Sequence, residues 1–302
     1  MTNDLEINKK RTAFPRLKLA LMFFFLWFIL VGIALAISSY FGYGTYSYMF
    51  LGIISVFIIL LNVITYFFSD RMVLRAYNAK IVTESQEPRL YRTVQRVANM
   101  AELPMPKVAV VPTDTPNAFA TGRNPKNAVV AATRGLLSTL NDKELEGVIA
   151  HEMAHVKDRD ILVMTVAASV AMIIAFAARI ILWQTLFSRN RNVNPLLLVV
   201  VVITAPFAAF LVQMAISRSR EYKADRVGAL TIYDPKALAS ALEKLHRENR
   251  RRPLRGGNPA SSSLFIVNPF SGSSFAAIFS THPPVQERIR RLNSIAQDMG
   301  RY

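Results

Sequence analysis

Long apolar runs alternate with stretches of mixed polarity along this chain, and the alternation sets its organisation. After a polar, basic segment at 1–16, an apolar run extends from Leu17 to Ile37, broken only by Lys18 at its edge. About 20 apolar residues suffice for a helix to cross a bilayer, and this run exceeds the h-region of a signal peptide, so it predicts a retained span. A tyrosine-rich loop follows, and a second run covers Met49 to Phe68. Two more runs, Ile161 to Phe187 and Pro195 to Ile216, flank a short loop, with Pro206 a kink that bundle packing tolerates. The pattern predicts transmembrane hairpins at 17–68 and 161–216 and folded segments at 69–160 and 217–302.

Within 69–160 the period changes. Leu90, Val94 and Val97 give Arg89 to Met100 a helical stripe, whereas Lys107 to Val111 and Ala128 to Ala132 read as short strands, with Asn117 to Thr121 a third. The simplest assembly is a small sheet packed on helices. A strand edge beside a catalytic site takes an extended peptide by strand addition, so Asn117, Ala118, Phe119 and Ala120 are the expected substrate contacts. In 217–302, Asp234-Pro235 starts a helix carrying Leu238, Leu242 and Leu245, a Gly- and Ser-rich stretch at 256–274 reads as a loop or lid, and a closing helix follows His282. His282 is placed either to hydrogen-bond a developing oxyanion or substrate carbonyl, or to hold the helix start.

Hydrophobic residues make up 52% of the chain, high for a soluble protein, which supports the spans. The net charge of +16 fits anionic lipid better than nucleic acid once spans are present. Lys9, Lys10, Arg11, Arg16 and Lys18 surround the start of the first run, the loop after it has neither Lys nor Arg, and Arg71 and Arg75 follow the second run. By the positive-inside rule both termini and both folded segments face the cytoplasm, with Arg189 and Arg191 mildly against.

Candidate chemistry sits at His151-Glu152-Met153-Ala154-His155. Asn141 followed by Glu144 predicts a capping box, and Leu145, Val148 and Ile149 continue a helix, so the histidines project from one face on successive turns with Glu152 beside them. Neutral imidazoles suit zinc, and Glu152 suits the base of a metalloprotease. The chain has no cysteine, so further ligands must come from His or carboxylate. Glu221 and Asp225, four apart just past the fourth run, are the candidates: one to bind metal, the other to buttress it. The alternative for Glu221 is an ion pair with Arg218 or Arg220. Two crossings separate His155 from Glu221, which returns the chain to the face it left.

These motifs together resemble the HtpX family of membrane-bound zinc metalloproteases, relatives of the CAAX prenyl endopeptidases. The likeness runs through Asn117-Ala-Phe-Ala-Thr-Gly-Arg-Asn-Pro, Thr133-Arg-Gly-Leu-Leu, His151-Glu-Met-Ala-His, Ser217-Arg-Ser-Arg-Glu-Tyr-Lys-Ala-Asp and Thr281-His-Pro-Pro-Val-Gln-Glu-Arg-Ile. It implies an integral membrane α-helical protein with four transmembrane helices and an α+β, zincin-like cytoplasmic metalloprotease domain. It implies one Zn2+ on His151, His155 and Glu221, with Glu152 catalytic and Asp225 supporting, and polypeptide substrates drawn from damaged membrane proteins. A CAAX-type processing peptidase and a non-catalytic zinc-binding scaffold are the rival readings.

Overall fold

The computed structural model describes residues 46–166, 218–251 and 283–300, with Phe24, Trp27 and Ile266. The rest of the expected first span, most of the expected hairpin at 161–216, the remainder of the 256–274 loop and His282 lie outside the described residues. The described elements in chain order are α1 (Tyr46–Ala76), β1 (Lys80–Val82), α2 (Pro88–Met100), β2 (Lys107–Val111), β3 (Ala118–Gly122) and β4 (Ala128–Thr133). They continue with α3 (Arg134–Thr139), α4 (Asp142–Lys157), α5 (Arg218–Thr231), α6 (Pro235–Arg251) and α7 (Val285–Asp298). Residues 160–166 are also helical.

The strands form one sheet in the order β1-β2-β4-β3, with β2 and β4 parallel and the outer pairs antiparallel. All three expected strands are present, β3 displaced by one residue so that Asn117 precedes it. The unexpected strand, β1, is only three residues long, too short for a period to show.

Alternation along these strands places both sets of side chains against protein. Val108, Val110, Ala118, Ala120, Val130 and Ala132 face the main core with Leu90, Val94, Leu145 and Ile149. The opposite face, with Ala109, Val111, Phe119 and Ala131, is covered by Val73, Leu74 and Tyr77 from the end of α1 and the turn after it. Burial on both faces explains why β4 reads as a continuous apolar run rather than an alternating one.

The expected second span, 49–68, falls within α1, a helix of 31 residues. Ile53, Phe57, Leu60, Ile64 and Phe67 on it are each at least 50% exposed. Among the described residues no helix is long and apolar enough to cross a membrane.

Helix α4 is the hub. It begins with the expected capping box, Asn141 accepting from the Glu144 amide while the Glu144 carboxylate accepts from the Asn141 amide, both at 2.9 Å. The same carboxylate accepts from Ser240 at 2.6 Å and Lys244 at 2.8 Å, tying the start of α4 to α6. Further along, Gly147 meets Leu238 of α6, and Gly228 of α5 meets the α4 backbone. A Cβ at Gly228 would lie 2.8 Å from the His151 amide nitrogen, so only glycine lets α5 approach this closely.

Two outcomes follow from these contacts. Gly228→Ala should destabilise by about 1–3 kcal/mol through overpacking, outweighing the ~1 kcal/mol that alanine gains in an open helix. Denaturant unfolding of the detergent-purified proteins measures the difference, and a stabilised variant would contradict the close crossing. Glu144→Gln should cost about 1.5–3 kcal/mol near neutral pH, the range for hydrogen bonds to a charged group. Burial alone would raise the Glu144 carboxyl, but bonds from Lys244, Ser240 and the Asn141 amide outweigh it and hold the pKa below its ordinary 4.5. Because folding lowers this pKa, the wild-type advantage should be full above the unfolded value and vanish as pH falls through the folded one, which a stability–pH series on both proteins reads directly.

Candidate metal centre

All three polar side chains of the pentapeptide on α4 are buried: His151, Glu152 and His155 are 1%, 6% and 3% exposed. The imidazoles meet edge to face with centroids 4.9 Å apart, as four-residue spacing on a helix requires. Glu221, in the first turn of α5, turns its carboxylate between them: Oε1 is 3.4 Å from His155 Nε2 and Oε2 3.7 Å from His151 Nε2. One donor atom from each of the three lies within 4.8 Å of the others.

This donor set fits zinc. Ligands about 2.1 Å from a tetrahedral ion stand roughly 3.4 Å from one another; Glu221 Oε1 lies at that distance from His155 Nε2, and the three donors as a set close to within 4.8 Å. The tautomers agree as well, since His151 Nδ1 is 2.9 Å from Asp225 Oδ1 and donates outward, leaving Nε2 as an acceptor inside the cluster. Charge points the same way. With both imidazoles neutral and Glu152 ionised, as zinc ligation requires, the four carboxylates Glu152, Glu221, Asp160 and Asp225 exceed the two guanidinium groups Arg220 and Arg288 by two negative charges, which a divalent ion would cancel.

Asp225 sits one turn after Glu221 on α5. It accepts two bonds from Arg288, Nε to Oδ2 at 2.8 Å and Nη2 to Oδ1 at 2.7 Å. Arg288 is fully buried, and its Nη1 donates to the Ile266 carbonyl at 2.8 Å. Its Nη2 also lies 3.4 Å from both ring nitrogens of His151, and with Nδ1 donating to Asp225 only Nε2 is able to accept from it. The sequence carried a signal for this arginine. Arg288, Leu292 and Ala296 are the buried residues of α7, so Arg288 occupies an apolar-stripe position where a surface arginine does not belong.

These neighbours move the titrations apart. Burial, helped by the Arg288 charge and opposed by Asp225, takes His151 down to about 4. Burial alone would also lower His155, but Asp160 and Glu221 outweigh it and raise the group to about 10. Burial and the Glu221 charge raise Glu152 to about 7 against the opposing effects of His155 and the Ala120 amide. Burial would raise Asp225 too, yet Arg288 holds it near 2, and Asp225 in turn raises the Arg288 guanidinium against its own burial. A site that keeps a proton on an otherwise neutral imidazole is one that a cation competes for.

The expected substrate strand lies beside Glu152. The Ala120 amide donates to Glu152 Oε2 at 2.9 Å, and the Gly122 amide to Thr165 Oγ1 at 3.3 Å. The outward edge of β3 is therefore partly taken up by the protein's own groups, which the sequence could not reveal. Ala118 and Ala120 face the helices, whereas Phe119 points to the other side of the sheet, packing on Tyr77 with centroids 5.4 Å apart. The Asn117 amide donates to Thr133, and its side-chain oxygen accepts from the Ile266 amide at 3.1 Å. Arg220 pairs with Asp160 at 3.0 Å.

Residues 84–296 match peptidase family M48. A Protease HtpX homolog of Pyrococcus abyssi is 51% identical over 282 residues, covering 91% of this chain and 94% of the relative. Its counterpart in Thermococcus sibiricus is 49% identical over 281 residues, covering 90% and 94%. A crystal structure of S. mikatae Ste24p aligns with TM-score 0.48 and 16% identity, covering 94% of this chain and 67% of that one. With more than half its length matched and relatives this similar across nearly the whole sequence, the chain belongs to peptidase family M48, among the HtpX proteases.

Proposed function

We propose that this membrane metalloprotease cleaves internal peptide bonds of membrane-tethered or damaged membrane polypeptides at the cytoplasmic face, with zinc on His151, His155 and Glu221. The observation that carries the reading is a buried carboxylate, Glu152, beside a three-donor cluster yet outside it. A closed structural site has no use for such a base. Zinc held there would lower the pKa of a coordinated water toward ~7 and polarise the scissile carbonyl. Glu152 takes the proton of the attacking water and passes it to the leaving amine, and burial suits it to both halves of that transfer by bringing its pKa near neutrality. Asp225 and Arg288 fix His151, and the dry surroundings strengthen each of these interactions.

Substrate is taken as an extended chain along β3, with Asn117, Ala118, Phe119 and Ala120 as the contacts and His282 at the start of the last helix. Four spans, 17–37, 49–68, 161–187 and 195–216, carry the protein in the cell membrane with both termini inside. The exposed apolar side chains of α1 support the second of these, and the distribution of Lys and Arg supports the orientation. Substrates anchored in the same bilayer are delivered to the site by their own anchors, which favours quality control as the role.

Two experiments test the reading. On detergent-purified protein, Glu152→Gln should keep one zinc per chain while casein cleavage falls at least ~10²-fold, and Glu221→Ala should lose both zinc and cleavage. Zinc retained undiminished by Glu221→Ala would remove that ligand from the scheme. Because the chain has no cysteine, single substitutions report topology without background. Gly44→Cys should react with a membrane-impermeant maleimide on intact cells, and Glu102→Cys only after lysis; the reverse pattern would invert the orientation.

A further inference from the structure

Behind His151 stands an aspartate, and behind that aspartate an arginine. The same arrangement recurs on the other histidine, built from different elements. Asp160 is 8% exposed, its Oδ2 lies 3.7 Å from His155 Nδ1, and its Oδ1 accepts from Arg220 Nη1 at 3.0 Å. His155 Nδ1 is buried and has no hydrogen-bond partner among the described residues, so Asp160 is the acceptor nearest to hand.

The backbone brings Asp160 there by departing from the helix. Positions five apart on one uninterrupted α-helix point about 140° away from each other, so Asp160 could not back His155 if α4 simply continued. Instead α4 ends at Lys157, Arg159 adopts φ +60, and a new helix begins at 160. A left-handed conformation at a residue other than Gly or Asn costs roughly 1–2 kcal/mol, and such strain persists where the surroundings fix it. Two ion pairs do so here: Arg220 with Asp160, and Lys223 with Asp158 at 2.8 Å, both reaching across from α5.

Arg220 directly precedes Glu221 in the chain. Asp160 thus touches the cluster from two sides, through a histidine on α4 and through the neighbour of the carboxylate ligand on α5. We propose that Asp160, held by Arg220, is a positioning residue that fixes the His155 tautomer and ring orientation in which Nε2 faces Glu221. An aspartate accepting from Nδ1–H leaves the Nε2 lone pair free for a ligand, and without it the ring is free to turn or to carry its proton on the wrong nitrogen. Asp160 is the looser of the two supports, at 3.7 Å against 2.9 Å for Asp225, so the site is asymmetric: His151 is locked and His155 depends on a turn between two helices.

The inference rests on His155 and Glu221 holding zinc, and the experiment separates the two claims. Zinc affinity of the detergent-purified full chain is measured by competition with a chromophoric chelator, and the visible absorption of the cobalt-substituted protein reports ligand geometry. Asp160→Asn should weaken zinc binding by about 10–100-fold and shift the cobalt bands. Arg220→Lys, which keeps the charge but loses the planar fork, should fall between Asp160→Asn and wild type. Asp160→Glu should restore affinity toward the wild-type value, because it keeps the acceptor and the charge. A purely structural role would lower the melting temperature of the zinc-free protein and leave affinity and cobalt spectrum unchanged in Asp160→Asn. That result, with zinc lost in Glu221→Ala, would overturn the positioning role while the ligand set stands. A wild type that takes up no zinc would overturn both.

Discussion

Ionised side chains removed from water must be compensated by one another, and in this protein that requirement decides which elements touch. Arg288 is wholly buried, and a guanidinium in such a place is tolerated only when its donors are matched, as they are by the Asp225 carboxylate and the Ile266 carbonyl. Breaking a pair of this kind typically costs about 3–5 kcal/mol, since the surviving charge is left uncompensated. The pairing therefore holds α7, near the end of the chain, against α5 and α4. Glu152 belongs to the same network, because its pKa is set by the burial that the network maintains.

The sheet is tied to this centre by a few polar links among many apolar ones. Ala120 bonds to Glu152, and Thr121 and Gly122 bond to Thr165 of the 160–166 helix, so β3 is held both at Glu152 and at the segment that follows α4. Its partner β4 is buried on both faces, which gives the edge strand a rigid backing. Packed elements place sites more precisely than loops, and here they hold the Ala120 amide 2.9 Å from the Glu152 carboxylate.

Much of this was legible in the sequence where local chemistry and geometry coincide. The capping box at Asn141, the pair His151 and His155, and the spacing of Glu221 and Asp225 each follow from helix periodicity, and the structure places them together. What escaped reading depends on contacts between distant segments. Asp160 reaches His155 only because Arg159 takes a positive φ, which no residue type at that position announces. Gly228 looks like an ordinary helix weakness until the α4 backbone is set against it. Arg288 is the intermediate case: its place on an apolar stripe was visible, but its partner was not. The partial occupation of the β3 edge by Glu152 and Thr165 could not be foreseen, since it depends on where two other helices lie.

Helix α1 is one uninterrupted rod from Tyr46 to Ala76. Its last exposed large apolar side chain, Phe68, is followed within five residues by Val73, already buried under the sheet, a rise of about 7.5 Å with no glycine or proline between them. There is no joint in that interval to absorb a rotation. Val73, Leu74 and Tyr77 at its end pack on the sheet, and the Ala120 amide of that sheet bonds to Glu152, so a continuous path of contacts joins the helix to that carboxylate. The apolar half of the helix and the buried carboxylate are thus ends of one connected framework rather than separate parts.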